Sequence, residues 1–463
     1  MRNFKYLMIT LGTVALLGTS CQKQIDIKPQ NSVESDLALK TSKDVQGVLI
    51  GAYTAAAARG LYGGRFQVTS DFLGDDGDFG YFGTFFGYTE LNNKTITVDN
   101  SFTEGVWNAG YNTIGVCNTV LAHLDLVDAA NKARVEGEAK FLRGMTYFDL
   151  ARLFGKAWND GSPASNLAVP LVLTPTTAIV DIQKPTRNTV AEIYAQAITD
   201  LKVAETNLGI KSTYASSAAA SAVLARIYLT QEKYDLADAE ATKIISSGEY
   251  ALVEHFVDEF QVKEQATRVF NTSEDIFAIQ ISNQSGFNAL NEAYASSTYA
   301  GREETYLFNQ FFDSYEDGDD RVNEQTDDSF TSKFNNAFGN VVVIRLAEIY
   351  LIRAEARIKK ASPDLAGAAD DINVTRHRAL LDNTTATTAE DLFDAVKYER
   401  RAELKFEGFR LFDLKRYKES TYSVDGDGNH VDEFVWNSPK LVFPIPKRER
   451  DANPSLTQNE GYQ

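Results

Sequence analysis

The chain has 463 residues, 43% hydrophobic and 24% charged, which supplies a large core and excludes a disordered or collagen-like chain. A formal net charge of −18 disfavours nucleic acid and anionic membrane as electrostatic partners. Two cysteines cannot build a disulfide framework.

Arg2 and Lys5 precede an uncharged apolar run over residues 7–17, and Gly18, Thr19 and Ser20 follow. This is the layout of a secretory signal peptide, too short for the ~20 residues that span a bilayer. The small residues stand directly before Cys21, as in a bacterial lipoprotein signal, where the cysteine is lipidated and becomes the mature N-terminus. Residues 1–20 are therefore read as the signal. Residues 21–40, polar and with Pro29, are read as a flexible tether. The rest, 41–463, is read as one mainly α domain: a tetratricopeptide-like helix-pair scaffold with long loop and hairpin insertions. No other segment is long and apolar enough to span a membrane, so the expectation is an exported protein anchored at one end.

The first insertion, residues 60–106, contains DFLGDDGDFGYFGTFFGYTELNN at 71–93. Phe79, Tyr81, Phe82, Phe85, Phe86 and Tyr88 are separated by Gly80, Gly83 and Gly87. Aromatics spaced by glycine in a loop are not expected to build a regular core layer. They can present flat faces on which the C–H face of a sugar ring stacks. About half of these rings are expected to pin the loop, the others to meet ligand. Next, residues 107–154 form a helix pair, with Phe141, Met145, Phe148 and Ala151 in one stripe. Cys117 lies in its apolar part and reads as a small buried hydrophobe. After an insertion at 155–187, Val190, Ile193, Tyr194, Ala197, Ile198 and Leu201 mark a helix that Thr189 and Glu192 open as a capping box.

Ala225, Tyr228, Ala237 and Ala241 then have the spacing of a tetratricopeptide repeat, where small residues let two helices approach. The insertion 248–342 holds a second aromatic loop, NALNEAYASSTYAGREETYLFNQFF, offering Tyr294, Tyr299, Arg302 and Tyr306. A further repeat-like pair has Ala354 and Ala366 twelve apart, as Ala225 and Ala237 are. Thr387 and Glu390 are predicted to cap a helix running through Leu392, Val396 and Leu404. Glu399, Arg400, Arg401, Glu403, Glu407 and Arg410 alternate in sign and are predicted to pair at i, i+3 and i, i+4. The last insertion, 419–445, reads as a hairpin around a turn.

Catalytic signatures are missing: there is no H-E-x-x-H, G-x-S-x-G, P-loop, Rossmann glycine pattern or C-x-x-C. His123, His255, His377 and His430 are scattered and read as structural. Asp425, Asp427 and Asn429 begin like a calcium loop, but His430 and Trp436 occupy its sixth and twelfth places, so a tight turn is expected and no metal or cofactor. The acidic clusters at Asp75, Asp76 and Asp78 and at 316–320 have no spacing diagnostic of an acid and a nucleophile, so catalysis is not expected. With only Trp107, Trp158 and Trp436, a stacking platform must use Tyr and Phe. The ligand site is placed where loop 71–93 meets loop 290–306. Tyr81, Phe82, Phe85, Phe86 and Tyr88 are the stacking candidates, with Tyr294 and Tyr299 opposite. Asp75, Asp76, Asn92 and Arg302 are the candidates for orienting hydroxyls.

Several strings occur in one order along nearly the whole chain. They are Cys21, EAKFLRGMTYFDLARLFG, VPL at 169–171, PTRNTVAEIYAQAITDL, SAVLARIYL, RLAEIYLIRAEA, YERRAELKFEGFRLFDLKRY and LVFPIPKRERDANPSLTQN. In this the chain resembles the SusD/RagB family of Bacteroidetes outer-membrane lipoproteins. The resemblance implies a helical tetratricopeptide scaffold packed over a SusC-type TonB-dependent transporter, with loops on the other side binding nutrient, commonly an oligosaccharide, and no catalysis. It implies an outer-membrane location facing the exterior. The alternatives from the residues are an exported glycoside hydrolase and a helical-repeat scaffold that binds only protein.

Overall fold

Thr41 opens the first helix. Its hydroxyl accepts the Asp44 amide while the Asp44 carboxylate accepts the Thr41 amide at 2.9 Å. The computed structural model describes residues 39–176, 184–260, 270–282, 288–324, 326–327 and 329–463. Cys21 and the tether up to residue 38 lie outside them. The long helices are α1 (Ser42–Ala56), α2 (Arg65–Gly74), α3 (Ser101–Ala122), α4 (Ala129–Phe154), α5 (Val190–Asn207) and α6 (Ser217–Thr230). They continue as α7 (Tyr234–Ser247), α8 (Leu346–Lys359), α9 (Leu365–Arg378), α10 (Ala389–Glu403) and α11 (Arg410–Tyr417). The strands are β1 (Phe79–Tyr81), β2 (Asp275–Ile279), β3 (Thr305–Leu307), β4 (Thr326–Asp327), β5 (Phe330–Thr331), β6 (Val341–Arg345), β7 (Thr421–Val424) and β8 (His430–Phe434). They pair as β1–β3, β2–β6, β4–β5 and β7–β8, all antiparallel. Among the described residues no helix is long and apolar enough to cross a membrane.

The scaffold is a run of neighbouring helices: α3 packs on α1, α4 on α3, α5 on α4, and so on through α9, with α10 lying on α8 and α9. The expected tetratricopeptide-like architecture is what the chain adopts. Small residues at the contacts set its spacing. A β-carbon at Gly144 of α4 would come within 3.1 Å of the Ala197 carbonyl oxygen, so α5 packs there closely enough that any side chain would push it back by a few tenths of an ångström. Ala225, Ala237 and Ala241 are fully buried where α6 meets α7. In the second repeat-like pair Ala354 is buried but Ala366 is exposed, and Ala368 takes the inward place beside Ile372. Arg143 of α4 locks three helices, with two hydrogen bonds of 2.7 and 2.8 Å to Asp200 of α5 and one of 2.8 Å to Asn118 of α3.

The Thr189–Glu192 capping box is present. The cap of α10 is displaced by one residue: Thr388, not Thr387, accepts the Asp391 amide at 3.1 Å, and its hydroxyl donates to the Asp391 carboxylate. The alternating charges also pair differently from the prediction. Helix α10 stops at Glu403, and Phe406 and Gly408 turn the chain with φ of 64° and 85°. Glu407 and Arg410 therefore leave the helix axis. The partners are distant in sequence. Glu399 accepts from Arg321, Glu403 from Arg321, Arg345 and Arg378, and Glu407 from Lys333 and Arg345. Arg400 pairs with Asp413, Arg401 with Asp76 and Asp78, and Arg410 with Asp76. These ion pairs clip the insertions to the end of α10.

Candidate functional site

Strands β1 and β3 bring the two aromatic segments side by side, with Phe79 opposite Leu307, Gly80 opposite Tyr306 and Tyr81 opposite Thr305. The two-residue period of a strand then sorts the side chains. Phe79, Tyr81, Thr305 and Leu307 point inward and are buried, while Tyr306 and Phe308 lean outward. The glycines between the aromatics make room for other rings. A β-carbon at Gly80 would meet the Phe308 ring at 2.5 Å, and one at Gly87 would run into Phe102. Glycine spacing is thus compatible with a packed aromatic layer, contrary to the expectation from sequence.

The turn after β1 is fastened to Glu304. The Phe82 amide donates to the Glu304 carbonyl at 2.8 Å. The Tyr81 hydroxyl donates to Glu304 Oε2 at 2.9 Å, and the Thr84 amide reaches Oε1 at 3.4 Å. The Phe85 amide donates in turn to the Tyr81 hydroxyl at 3.0 Å. Arg302 gives the same carboxylate two hydrogen bonds, of 2.8 and 2.6 Å, and a third of 3.0 Å to Thr84 Oγ1. Its guanidinium lies 4.2 Å from the centre of the Phe85 ring. Burial works against ionisation of Glu304, but the hydrogen bonds from Arg302 and Tyr81 outweigh it and hold the carboxyl below its ordinary value. Burial pushes the Tyr81 phenol up, so it remains a donor.

Fastened in this way, the turn displays two phenylalanine rings. Phe82 is 55% exposed and Phe86 is 85% exposed. Phe82 stands edge-on to Tyr306 and Phe308, with ring centres 5.8 and 6.2 Å away. Tyr306 rests on buried Phe330 at 4.7 Å. The tip of the β7–β8 hairpin closes this face, because a β-carbon at Gly428 would come within 2.8 Å of Phe308. That tip is the expected tight turn: the Asp425 carboxylate accepts the Asp427 and Asn429 amides at 2.9 Å each. The result is a group of rings, Phe82, Tyr306 and Phe308, with the exposed Thr84 two residues from Phe82. It can stack apolar faces and hydrogen-bond hydroxyls.

Several expected site residues sit elsewhere. Tyr81, Tyr88 and Tyr294 are in the core, at 9%, 1% and 1% exposure, so their ring faces are covered by protein. Tyr88 stacks on Phe102 with centres 4.0 Å apart, and the Tyr294 hydroxyl donates to Asp71. Asp75, Asp76 and Asn92 are buried as well. Asp75 accepts the Gly77 and Asp78 amides, and Asn92 accepts the Tyr81 amide. Phe85 is half-buried under Arg302, and Tyr299 is half-buried in a short turn. Phe82, Phe86 and Arg302 are exposed as expected. Sequence reasoning missed Glu304, Phe308 and the hairpin tip as neighbours of these rings. The alternation through Thr305, Tyr306, Leu307 and Phe308 was the available signal, a strand pattern inside a presumed loop.

Two of the three aspartates in 75–78, Asp76 and Asp78, are paired with cations. Asp76 is held at about 2: burial opposes its ionisation, and Arg410 and Arg401 outweigh it. Asp78 pairs with Arg401 and Lys405. Burial pushes Asp75 up to about 7, although Lys94 opposes the shift. The cavity that these groups share measures about 30 Å³, room for roughly one water. Among the described residues no group of three or more His, Cys, Asp or Glu side chains is placed to hold a metal ion.

Comparison with known proteins bears on the whole chain. The model of the SusD family matches residues 259–462, and a second family model, described as starch-binding associating with outer membrane, matches residues 25–229. The chain is similar to "SusD-like protein P2" of Formosa agariphila, with 25% identity covering 100% of both chains. It is 34% identical to "Starch-binding protein SusD" of Bacteroides thetaiotaomicron over 127 residues, 27% of this chain and 22% of that one. Among solved structures, a "putative sugar binding protein" from Bacteroides vulgatus aligns with a TM-score of 0.80 and 28% identity, covering 92% of this chain and 100% of the other.

Proposed function

The chain belongs to the SusD family, and on that premise we propose that it is a non-catalytic surface lipoprotein that binds glycan and hands it to a SusC-type TonB-dependent transporter. The observation that carries this reading is the pair of exposed rings, Phe82 and Phe86, held on a turn that a carboxylate and a strand pair make rigid. Solvent-facing phenylalanine on a preorganised support suits the apolar face of a sugar ring. Similar proteins named as starch-binding and sugar-binding support the ligand class. Uncharged sugars fit best, since the chain carries −18 and the Arg302 guanidinium is already paired with Glu304. The buried aspartates neutralised by Arg401, Arg410 and Lys405 support a binding role over hydrolysis.

Calorimetric titration with soluble starch, other neutral polysaccharides and polygalacturonate tests the reading. Binding of a neutral polysaccharide is expected, with affinity on the order of micromolar to millimolar because few contacts offset the loss of ligand freedom. No new reducing ends are expected on incubation. Binding of polygalacturonate alone, or release of reducing ends, would overturn it. Anchoring through Cys21 and delivery to a transporter are tested separately. A Cys21→Ala variant should leave the membrane fraction when the transporter is deleted, and the unaltered protein should co-purify with the transporter.

A further inference from the structure

We propose that Glu304 is the positioning residue of this face, the group that holds residues 82–86 in the shape that displays Phe82 and Phe86. The placement rests on the reading of the turn as the ligand site, but the ordering role does not. Within residues 82–86, the Thr84 and Phe85 amides end on side-chain oxygens and not on helix or strand carbonyls. The first goes to Glu304 Oε1 at 3.4 Å. The second goes to the Tyr81 hydroxyl at 3.0 Å, and that hydroxyl is itself aimed by its bond to Glu304 Oε2 at 2.9 Å. The third backbone tie, from the Phe82 amide, ends on the Glu304 carbonyl. Arg302 lies over the Phe85 ring with its guanidinium held by two hydrogen bonds to Glu304 and one to Thr84. One carboxylate thus sets two amides, one phenol and one guanidinium, and all of them converge on a five-residue turn between two exposed rings. A charge-assisted acceptor shared among several donors is the strong kind of hydrogen bond, and removing it leaves each donor to find water.

Amide hydrogen exchange on the full chain without ligand tests this. In Glu304→Ala, the peptide covering 82–88 is expected to exchange about tenfold faster or more, while the peptides of α4 and α5 stay unchanged. Glu304→Gln keeps one acceptor oxygen, enough for Tyr81 or for Thr84 but not for both, and loses the charge that pairs with Arg302, so it should fall between Glu304→Ala and the parent. Glu303→Gln alters a neighbouring carboxylate that accepts from Ser297, and should change nothing at 82–88. Unchanged exchange at 82–88 in Glu304→Ala overturns the proposal. Soluble starch is then titrated into the same variants. Faster exchange with an affinity lowered about tenfold supports both the role of Glu304 and the site. Faster exchange with unchanged affinity keeps the role of Glu304 and removes the turn from the ligand site.

Discussion

Tyr88 and Phe86 lie two residues apart on one short helix, Phe86–Asn92, and replacing each by alanine should have opposite consequences. Tyr88 is 1% exposed. Its ring stacks on Phe102 at 4.0 Å with 12° between planes, and meets Phe72 at 4.9 Å and Tyr81 at 5.5 Å. Truncating a core aromatic costs about 3–5 kcal/mol, from lost burial and the cavity left behind. The lost ring pairs, worth about 0.5–1.5 kcal/mol each, push the value toward the upper end. Phe86 is 85% exposed, so Phe86→Ala should stay within about 0.5 kcal/mol of the parent. Urea unfolding followed by circular dichroism reads both, provided that each variant unfolds in one transition. A Tyr88→Ala variant within about 1 kcal/mol of the parent, or a Phe86→Ala variant as damaged as Tyr88→Ala, would refute the division between core and display. For the same reason a combined replacement of Tyr81, Phe85 and Tyr88 cannot report on ligand binding, because two of the three rings hold the core.

Arg345→Met should cost about 3–5 kcal/mol in the same assay, because it takes one buried cation, at 2% side-chain exposure, from a cluster in which it joins Glu274, Glu403 and Glu407, and so leaves buried negative charge under-compensated. A loss below about 1 kcal/mol would show that those carboxylates are satisfied without it. Asp76 is held at about 2, below its unfolded value of ~3.9, so its contribution is complete above about pH 5 and fades as the pH falls toward 2. The stability gap between the parent and Asp76→Asn should therefore narrow on acidification, and a constant gap contradicts the ion pairs with Arg401 and Arg410. Cys117 is buried and its thiol is pushed up to about 12, so a maleimide at about pH 8 should label it only after unfolding. Rapid labelling of the folded Cys21→Ala protein would place Cys117 at an accessible surface.

The helical scaffold was legible because its signals are local. The Thr189–Glu192 box, the stripe Phe141, Met145, Phe148 and the small residues Ala225 and Ala237 each act within one or two turns. The Thr387 and Thr388 pair shows where local reading blurs: adjacent threonines are equivalent on paper, and only the hydrogen bond to Asp391 selects the second. The charged string was misread because i, i+4 pairing assumes an unbroken helix, and the chain turns at Phe406 and Gly408. The aromatic segments were found, and their adjacency through β1 and β3 follows the expected meeting of the two loops. Which rings face outward was not legible, since it depends on a register between residues more than two hundred positions apart. One residue of slip would exchange the buried and displayed sets. Gly80 and Gly87 were read as loop punctuation, whereas they give space to rings contributed by Phe308 and Phe102.

The most direct test of the display face is calorimetric titration of the parent and of the double variant Phe82→Ala, Phe86→Ala with a neutral polysaccharide that the parent binds. Both rings are exposed, so the urea midpoint should be unchanged. The affinity should fall by more than tenfold, above ~1.4 kcal/mol. A folded double variant that binds as tightly as the parent would contradict the account and move the ligand away from the turn between β1 and β3.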